Sequence, residues 1–133
     1  MLIVDTSVWI DFLSRRASDD LRRFVQQALG GRWAFYTCVT AMELLSGCRS
    51  AAEARAVRDV LDLAGHVRVE WPHWSLAADV LRHMRRSGRR APLSDVLTAA
   101  VAIEKAAPLV CRDQHFETIR KCGGHAFEIR SPV

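Results

Sequence analysis

Short apolar runs alternate along this chain with longer segments in which apolar residues recur at helical spacing. The runs Leu2–Val4 and Pro108–Cys111 are apolar throughout, which is typical of strands buried on both faces of a sheet. The full pattern predicts strands at 2–4, 33–36, 67–70, 108–111 and 126–129, and helices at 6–13, 18–29, 40–47, 50–64, 73–86, 94–106 and 113–120. Strands and helices in this order predict an α/β fold with a mainly parallel sheet.

The chain is long enough for one hydrophobic core and has the composition of an ordinary globular domain. It has 133 residues, of which 50% are hydrophobic and 26% charged, so we expect a single domain over 1–133. The first residues carry no basic segment before the apolar run, and the longest apolar stretch, 96–103, is too short for a bilayer. We therefore expect a cytoplasmic protein without a membrane partner. The four cysteines contain no C-x-x-C pair and are expected to be reduced thiols.

Four carboxylates stand where predicted strands end or predicted helices begin. Asp5 and Asp113 each follow an apolar strand, whereas Glu43 and Asp95 each stand in the first turn of an apolar helix. Ligands of open parallel sheets bind outside the carboxyl ends of the strands, so all four side chains can converge there. Such a cluster repels itself unless a cation neutralises it, and oxygen ligands select Mg²⁺ or Mn²⁺. Metal-assisted phosphodiester hydrolysis uses this arrangement.

Helix capping is an equally simple explanation for each acid taken alone. Carboxylates are favoured at helix N-termini, so Asp5, Asp95 and Asp113 fit the role of caps. The spacing from Thr40 to Glu43 also matches a capping box. The sequence pattern leaves both interpretations open.

The segments around these acids resemble PIN-domain proteins, in particular the VapC-type ribonuclease toxins of bacterial VapBC toxin–antitoxin pairs. The four matching segments are 5–13, 40–47, 93–100 and 109–116. The resemblance covers essentially the whole chain, with the segments in order and suitably spaced. It implies a three-layer α/β/α domain and a Mg²⁺- or Mn²⁺-dependent endoribonuclease, the toxin of a type II pair. The implied partners are RNA, a cognate VapB-type antitoxin and a second copy of the chain in a homodimer.

The resemblance also implies roles for individual residues. Asp5, Glu43, Asp95 and Asp113 match the family's acidic quartet. The first, third and fourth of these are the expected metal ligands, and Glu43 is expected to serve a second metal or to orient the attacking water. The hydroxyl residues of the family are matched by Thr6 and Ser7.

Two positions depart from the family pattern. Cys111 stands where Thr or Ser is frequent, so a hydroxyl hydrogen bond near Asp113 is expected to be weakened. His115 stands where a further acid is frequent, which lowers the negative charge of the site and places a phosphate-binding group there.

The net charge of +4 includes a dense basic segment from Arg82 to Arg90. Its functional interpretation is contact with RNA or an acidic partner at the mouth of the site, and its simpler interpretation is a solvated helix face. The candidate contact residues are Arg85, Arg86, Arg89, Arg90, Arg112 and His115.

Other readings of the chain remain open at this point. A non-catalytic module that binds a cation or nucleic acid is one alternative, and a PIN nuclease of RNA maturation that has no antitoxin is another. A structural zinc site is a minor candidate, with irregularly spaced ligands Cys111, His115, Cys122 and His125. The tryptophans, at 9, 33, 71 and 74, are expected in the core or in an interface. The histidines at 66, 73, 83 and 125 are expected to lie apart, without ligand spacing.

Overall fold

A single five-stranded sheet organises the molecule in the computed structural model, which describes residues 1–133. All strand pairs are parallel, in the order β3-β2-β1-β4-β5. The strands are β1 Leu2–Val4, β2 Ala34–Thr37, β3 Gly65–Val67, β4 Leu109–Val110 and β5 Ile129–Arg130. The helices are α1 Thr6–Leu13, α2 Asp19–Gly30, α3 Cys38–Ser46, α4 Ala51–Leu61, α5 Trp71–Arg86, α6 Leu93–Lys105 and α7 His115–Cys122.

Helices cover both faces of the sheet, because alternate side chains of a strand point to opposite faces. Ile3 of β1 packs into the core formed with α5, α6 and α7. Its neighbours Leu2 and Val4 pack into the second core, formed with α1, α2, α3 and α4. The predicted α/β class and its three-layer α/β/α arrangement are therefore confirmed. None of the seven helices is long and apolar enough to cross a lipid bilayer.

Helix α6 lies against the sheet as its nearly continuous apolar sequence predicts. Every residue from Val96 to Ala102 is buried. The neighbouring helix α5 is fastened to α6 by the buried His73. The backbone N–H of Glu70 donates to His73 Nδ1 at 2.9 Å, so the proton on Nε2 is directed to Glu104 Oε2, also at 2.9 Å. This bond joins the first turn of α5 to the last turn of α6.

The edge strands lie elsewhere than the sequence predicts. β3 is Gly65–Val67 and not 67–70, because its partner β2 ends at Thr37, which pairs with Val67. Gly65 lies directly against the Phe35 ring, where a Cβ would come within 2.2 Å of a ring carbon. β5 is Ile129–Arg130 and not 126–129, since it pairs with only the two residues of β4. Phe127 packs against the core without joining the sheet, and Ala126 is exposed.

Two helix boundaries move in a way that affects the candidate site. α3 begins at Cys38 with Thr37 as its N-cap, two residues before the predicted start, so Glu43 lies in the second turn and not the first. The Thr37 side chain accepts a hydrogen bond from the Thr40 backbone, and the capping box predicted from Thr40 to Glu43 does not form. α7 begins at His115 and not at Asp113. Glu43 therefore lies further inside α3 than predicted, whereas Asp113 lies in the loop before α7.

The four tryptophans divide between core and surface. Trp9 is fully buried and donates its indole N–H to the Val4 carbonyl at 3.1 Å. Trp33, Trp71 and Trp74 are more than half exposed, so a place in the core is wrong for these three. Their role in an interface stays a prediction.

Candidate active site

The sheet changes its winding direction between β1 and β4, and the candidate acids lie at this point. β1 is followed along the chain by β2 on one side, whereas its other neighbour, β4, comes much later in the sequence. Such a switch point opens a crevice at the carboxyl ends of the strands. Asp5 follows β1 and donates its backbone N–H to the Val110 carbonyl of β4 at 2.9 Å. The end of β4 then leads into Asp113.

Asp5 is both the N-cap of α1 and a wall of this crevice. It is buried, and its Oδ2 accepts from the Ser7 backbone N–H at 3.0 Å and from the Ser7 hydroxyl at 2.7 Å. The capping interpretation is therefore correct for Asp5. Both bonds use the same oxygen, so Oδ1 is not consumed by the cap and remains available to a ligand.

Asp95 does not cap its helix. It is the third residue of α6, whose N-cap, Pro92, makes no side-chain cap hydrogen bond. The pKa of the Asp95 carboxyl is raised to about 6, chiefly by burial and also by the charges of Asp5 and Asp113, against a lowering contribution from a hydrogen bond with His115. The charges of Asp5 and Asp113 therefore act on the Asp95 carboxyl. The capping interpretation is wrong for Asp95.

His115 sits between two of these aspartates. Its Nδ1 lies 2.9 Å from Asp95 Oδ2 and 3.0 Å from Asp113 Oδ1. Its backbone N–H also donates to Asp113 Oδ1 at 2.9 Å, so Asp113 satisfies a donor at the start of α7 as well. One ligand atom from each of Asp95, Asp113 and His115 lies within 4.8 Å of the others.

These residues fit a divalent cation. Burial and mutual repulsion make the ionised carboxylates costly without a compensating charge, and a cation supplies that charge. The carboxylate oxygens suit Mg²⁺ or Mn²⁺, and the one imidazole nitrogen suits Mn²⁺ better.

Glu43 reaches the crevice from α3. Its Oε1 accepts a hydrogen bond from the Thr6 hydroxyl at 2.8 Å, and Thr6 directly follows Asp5. Glu43 also lies on the wall of an apolar groove of about 440 Å³ between α1, α3 and α4. The structure therefore brings Glu43 to the side of the crevice, joined to it through Thr6.

Ser7 connects the two loops that carry the acids. While its hydroxyl donates to Asp5, the same oxygen accepts the backbone N–H of Arg112 at 3.2 Å. The guanidinium of Arg112 pairs with Asp11 Oδ2 at 3.0 Å. The sequence did not single out Asp11, and no local pattern distinguishes it from a solvated acid of an exposed helix face.

Cys111 is buried just after β4, and its thiol is not suited to act as a nucleophile. Burial raises the pKa of its thiol to about 12, with further contributions from the nearby charges of Asp5 and Asp113. Its Sγ lies 4.0 Å from the Asp113 carbonyl, which is a weak contact. The zinc set proposed from the sequence does not assemble, because His115 joins Asp95 and Asp113 while His125 joins Asp79 on α5.

The basic segment ends beside the crevice. α6 runs from Leu93 toward β4, so its first turn and the loop before it lie at the edge of the sheet where Asp95 stands. Four arginines at the end of α5 and in this loop are exposed and form no ion pair: Arg85, Arg86, Arg89 and Arg90. Gly88 turns the loop with a φ of 66°, a conformation that favours glycine.

The chain thus combines a parallel α/β/α fold with acids clustered at the switch point of its sheet. These features are typical of a class of domains in which carboxylates hold a cation. The chain matches the PIN domain family over residues 2–121, and it belongs to that family. Ribonuclease VapC11 of Mycobacterium tuberculosis is 28% identical over 126 residues, which cover 91% of this chain and 92% of that protein.

Solved structures share the fold. DNA-bound VapBC from Salmonella typhimurium aligns with a TM-score of 0.83 at 18% identity, over 99% of this chain and 98% of that chain. VapBC2 from Rickettsia felis, bound to a DNA fragment from the promoter, aligns with a TM-score of 0.80 at 13% identity, over 98% and 97% of the two chains.

Proposed function

We propose that this chain is a divalent-metal-dependent endoribonuclease and the toxin of a type II toxin–antitoxin pair. The observation that carries the proposal is the convergence of Asp5, Asp95 and Asp113 at the switch point of the sheet. Ser7 joins Asp5 to the loop after β4, and His115 joins Asp113 to Asp95. The names of the VapC ribonucleases that match most of the chain support RNA as the substrate. Hydrolysis of phosphodiester bonds is the chemistry that a carboxylate-held divalent ion favours.

Asp5, Asp95 and Asp113 would hold Mg²⁺ or Mn²⁺, with Glu43 serving a second ion or orienting water. A bound ion of this kind polarises the phosphate, activates water and stabilises the leaving oxygen. The chain's own residues set the positions, since Ser7 holds Asp5 through Oδ2 and leaves Oδ1 free for a ligand. Thr6 fixes Glu43 in the same way.

His115 and the four unpaired arginines are the proposed substrate contacts. His115 is half exposed at the mouth of the crevice. Its imidazole would give up its contact with an aspartate and donate a hydrogen bond to a phosphate oxygen of the substrate. Arg89 and Arg90 extend from the loop before α6, so a nucleic-acid backbone that crosses the crevice would pass beside them. Arg112 would contact RNA or the antitoxin only after leaving Asp11.

The proposed antitoxin partner fits the groove beside Glu43. The groove is lined mainly by apolar side chains, among them Ile10, Leu13 and Val57. A peptide that fills it with apolar residues and extends a basic side chain toward Glu43 would cover the crevice. Complexes of the VapBC type among the structures of the same fold support such a partner.

Cleavage of labelled total RNA tests the enzymatic proposal. The purified chain is incubated with Mg²⁺, Mn²⁺ or EDTA, beside Asp5→Asn, in which the amide oxygen still caps α1. Discrete products that require metal and disappear in Asp5→Asn are expected. Asp59→Asn, an exposed acid on α4, is the matched control and should cleave as the parent does.

Two outcomes would contradict the proposal. Cleavage retained by folded Asp5→Asn would remove the acid cluster from the chemistry. Binding of RNA without cleavage under any of these metal conditions would assign the chain to the non-catalytic class. Active enzyme without an adjacent antitoxin gene would instead indicate a nuclease of RNA maturation or decay.

A further inference from the structure

A second group of metal-ligating side chains lies outside the crevice, on the far end of α7. Asp79 and His83 are one helical turn apart on α5, and His125 follows the turn that ends α7. One ligand atom from each lies within 4.8 Å of the other two. The expectation that the histidines lie apart without ligand spacing is therefore wrong for His83 and His125. Asp79 and His83 are four residues apart on one helix, and this spacing could have identified two of the three side chains from the sequence.

The donor atoms already stand close to the separations that a bound ion requires. Asp79 Oδ2 lies 2.7 Å from His125 Nε2 and 3.6 Å from His83 Nδ1. Donors around a tetrahedral zinc ion with bonds of about 2.0–2.1 Å are roughly 3.3 Å apart. Small side-chain movements therefore suffice to admit an ion in place of the proton that His125 shares with Asp79.

Outer hydrogen bonds orient these groups in the way usual for metal ligands. Arg82 Nη2 donates to Asp79 Oδ1 at 2.6 Å and leaves Oδ2 directed at the histidines. His83 Nδ1, which lies 3.6 Å from Asp79 Oδ2, is also 2.9 Å from the Asp79 carbonyl oxygen. A carbonyl oxygen only accepts, so an ion bound at Nδ1 would replace the proton of that hydrogen bond.

The backbone after α7 is shaped to bring His125 onto α5. Gly124 has a φ of 77°, and a Cβ there would lie 2.5 Å from His83 Cδ2, so only glycine allows the turn to approach the ring this closely. The His83 and His125 rings meet edge to face with centroids 6.0 Å apart. The three side chains are 30 to 39% exposed, which leaves a path for an ion and room for a water ligand.

We propose that Asp79, His83 and His125 form a binding site for a zinc-class divalent cation, separate from the acidic crevice. Two imidazoles and one carboxylate favour Zn²⁺, Co²⁺ or Ni²⁺ over Mg²⁺, which prefers oxygen ligands. The bound ion would join the turn after α7 to α5. Because α7 carries His115 at its first residue, the same ion would hold the far end of the helix that shapes the crevice.

Equilibrium dialysis of the metal-stripped full chain against Zn²⁺, with Mg²⁺ in large excess, tests this site. One equivalent of Zn²⁺ is expected to bind, and Co²⁺ in its place should give the visible absorption of a nitrogen-ligated ion. His125→Ala and His83→Ala should each weaken Zn²⁺ binding by at least about 10-fold. The matched control is His66→Ala, an exposed histidine on β3, which should bind as the parent does.

The variant His115→Gln separates the two sites. Zn²⁺ binding that survives in His115→Gln and is lost in His125→Ala supports the proposal. Binding lost in His115→Gln and retained in His125→Ala would place the ion in the crevice and overturn it, as would the absence of binding by the folded parent. Asp79→Asn keeps an acceptor for His125 and Arg82, so weakened binding in this variant with unchanged circular dichroism excludes unfolding as the cause.

Discussion

Asp95 is an acid whose ionisation opposes folding when no cation is bound. Its pKa is raised to about 6, chiefly by burial, so below about pH 4 the carboxyl is protonated in both the folded and the unfolded chain. Between about pH 4 and pH 6 the carboxyl is ionised in the unfolded chain but still protonated in the folded protein, so the free energy of unfolding falls as the pH rises. Above pH 6 this contribution to stability is fully lost.

Replacing Asp95 by Asn should therefore stabilise the metal-free protein at pH 8. We expect a gain on the order of 1 kcal/mol in the free energy of unfolding, because solvent screening and the altered His115 contact reduce the full effect of the shift. The gain should vanish near pH 4. Urea unfolding in EDTA at the two pH values measures it, with Asp59→Asn as a control that gains at neither. An equal gain at both pH values would assign the effect to packing.

Cys111 should be chemically inert although it adjoins the acid cluster. Its pKa of about 12 keeps the thiol protonated at neutral pH, and only the thiolate is a nucleophile. We expect a thiol reagent at pH 8 to label the exposed Cys38 quickly and to label Cys111 only as the chain unfolds. Mass spectrometry of timed digests measures both rates. Labelling of Cys111 as fast as that of Cys38 in the folded chain would contradict the structure.

At the residue scale, the positions of the acids in the fold could be predicted from the sequence, but their side-chain contacts could not. Asp5 and Asp113 could be placed at the sheet edge because each follows an apolar strand. The bond from Thr6 to Glu43 and the position of His115 between two aspartates depend on the packing of separate elements. No local periodicity encodes such contacts, and a cap and a crevice acid have the same sequence signature.

The C-terminus of α6 contains a strained residue. Ala106 is in the left-handed region with a φ of 49°, and its backbone N–H bonds to the Ala102 and Ile103 carbonyls, closing the helix before β4. A residue with a Cβ is disfavoured in this conformation, whereas glycine accepts it.

Ala106→Gly should therefore stabilise the protein, by about 0.5–1 kcal/mol. The Ala106 side chain is exposed, so little packing is lost. Chemical denaturation measures the change, and Ala52→Gly, at an exposed site inside α4, should destabilise by a similar amount. A loss of stability in Ala106→Gly would show that the φ is not strained.

At the element scale, the strongly periodic segments were predictable and the edges of the sheet were not. α6 follows its apolar sequence closely, and β1 has the predicted bounds. The edge strands β3 and β5 depend on where their partners end, as at Thr37 and Val110. Apolar residues such as Val69 then pack against the core without strand pairing.

At the scale of the whole molecule, the chain presents opposite charges side by side. The acids come from the end of β1, from α3, from α6 and from the loop after β4, and parallel pairing brings these distant segments to one edge. The arginines of the α5–α6 loop reach the same edge. A polyanion that approaches the acids needs a cation in the crevice and positive charge beside it, since like charges otherwise repel it.

Replacing Arg89 and Arg90 by Gln should thus weaken RNA binding more at low salt than at high salt. Each phosphate contact with a single strand contributes about 0.7 to the slope of log affinity against log salt, so the double variant should lower that slope by about 1.4. Binding is measured by fluorescence anisotropy in the Asp5→Asn background, which prevents cleavage during titration. The control removes Arg15 and Arg16, two exposed charges beyond the far end of α1, and should leave the slope unchanged. An unchanged slope in Arg89→Gln/Arg90→Gln would show that these arginines belong to a solvated face, whereas an equal fall in both variants would indicate an effect of net charge.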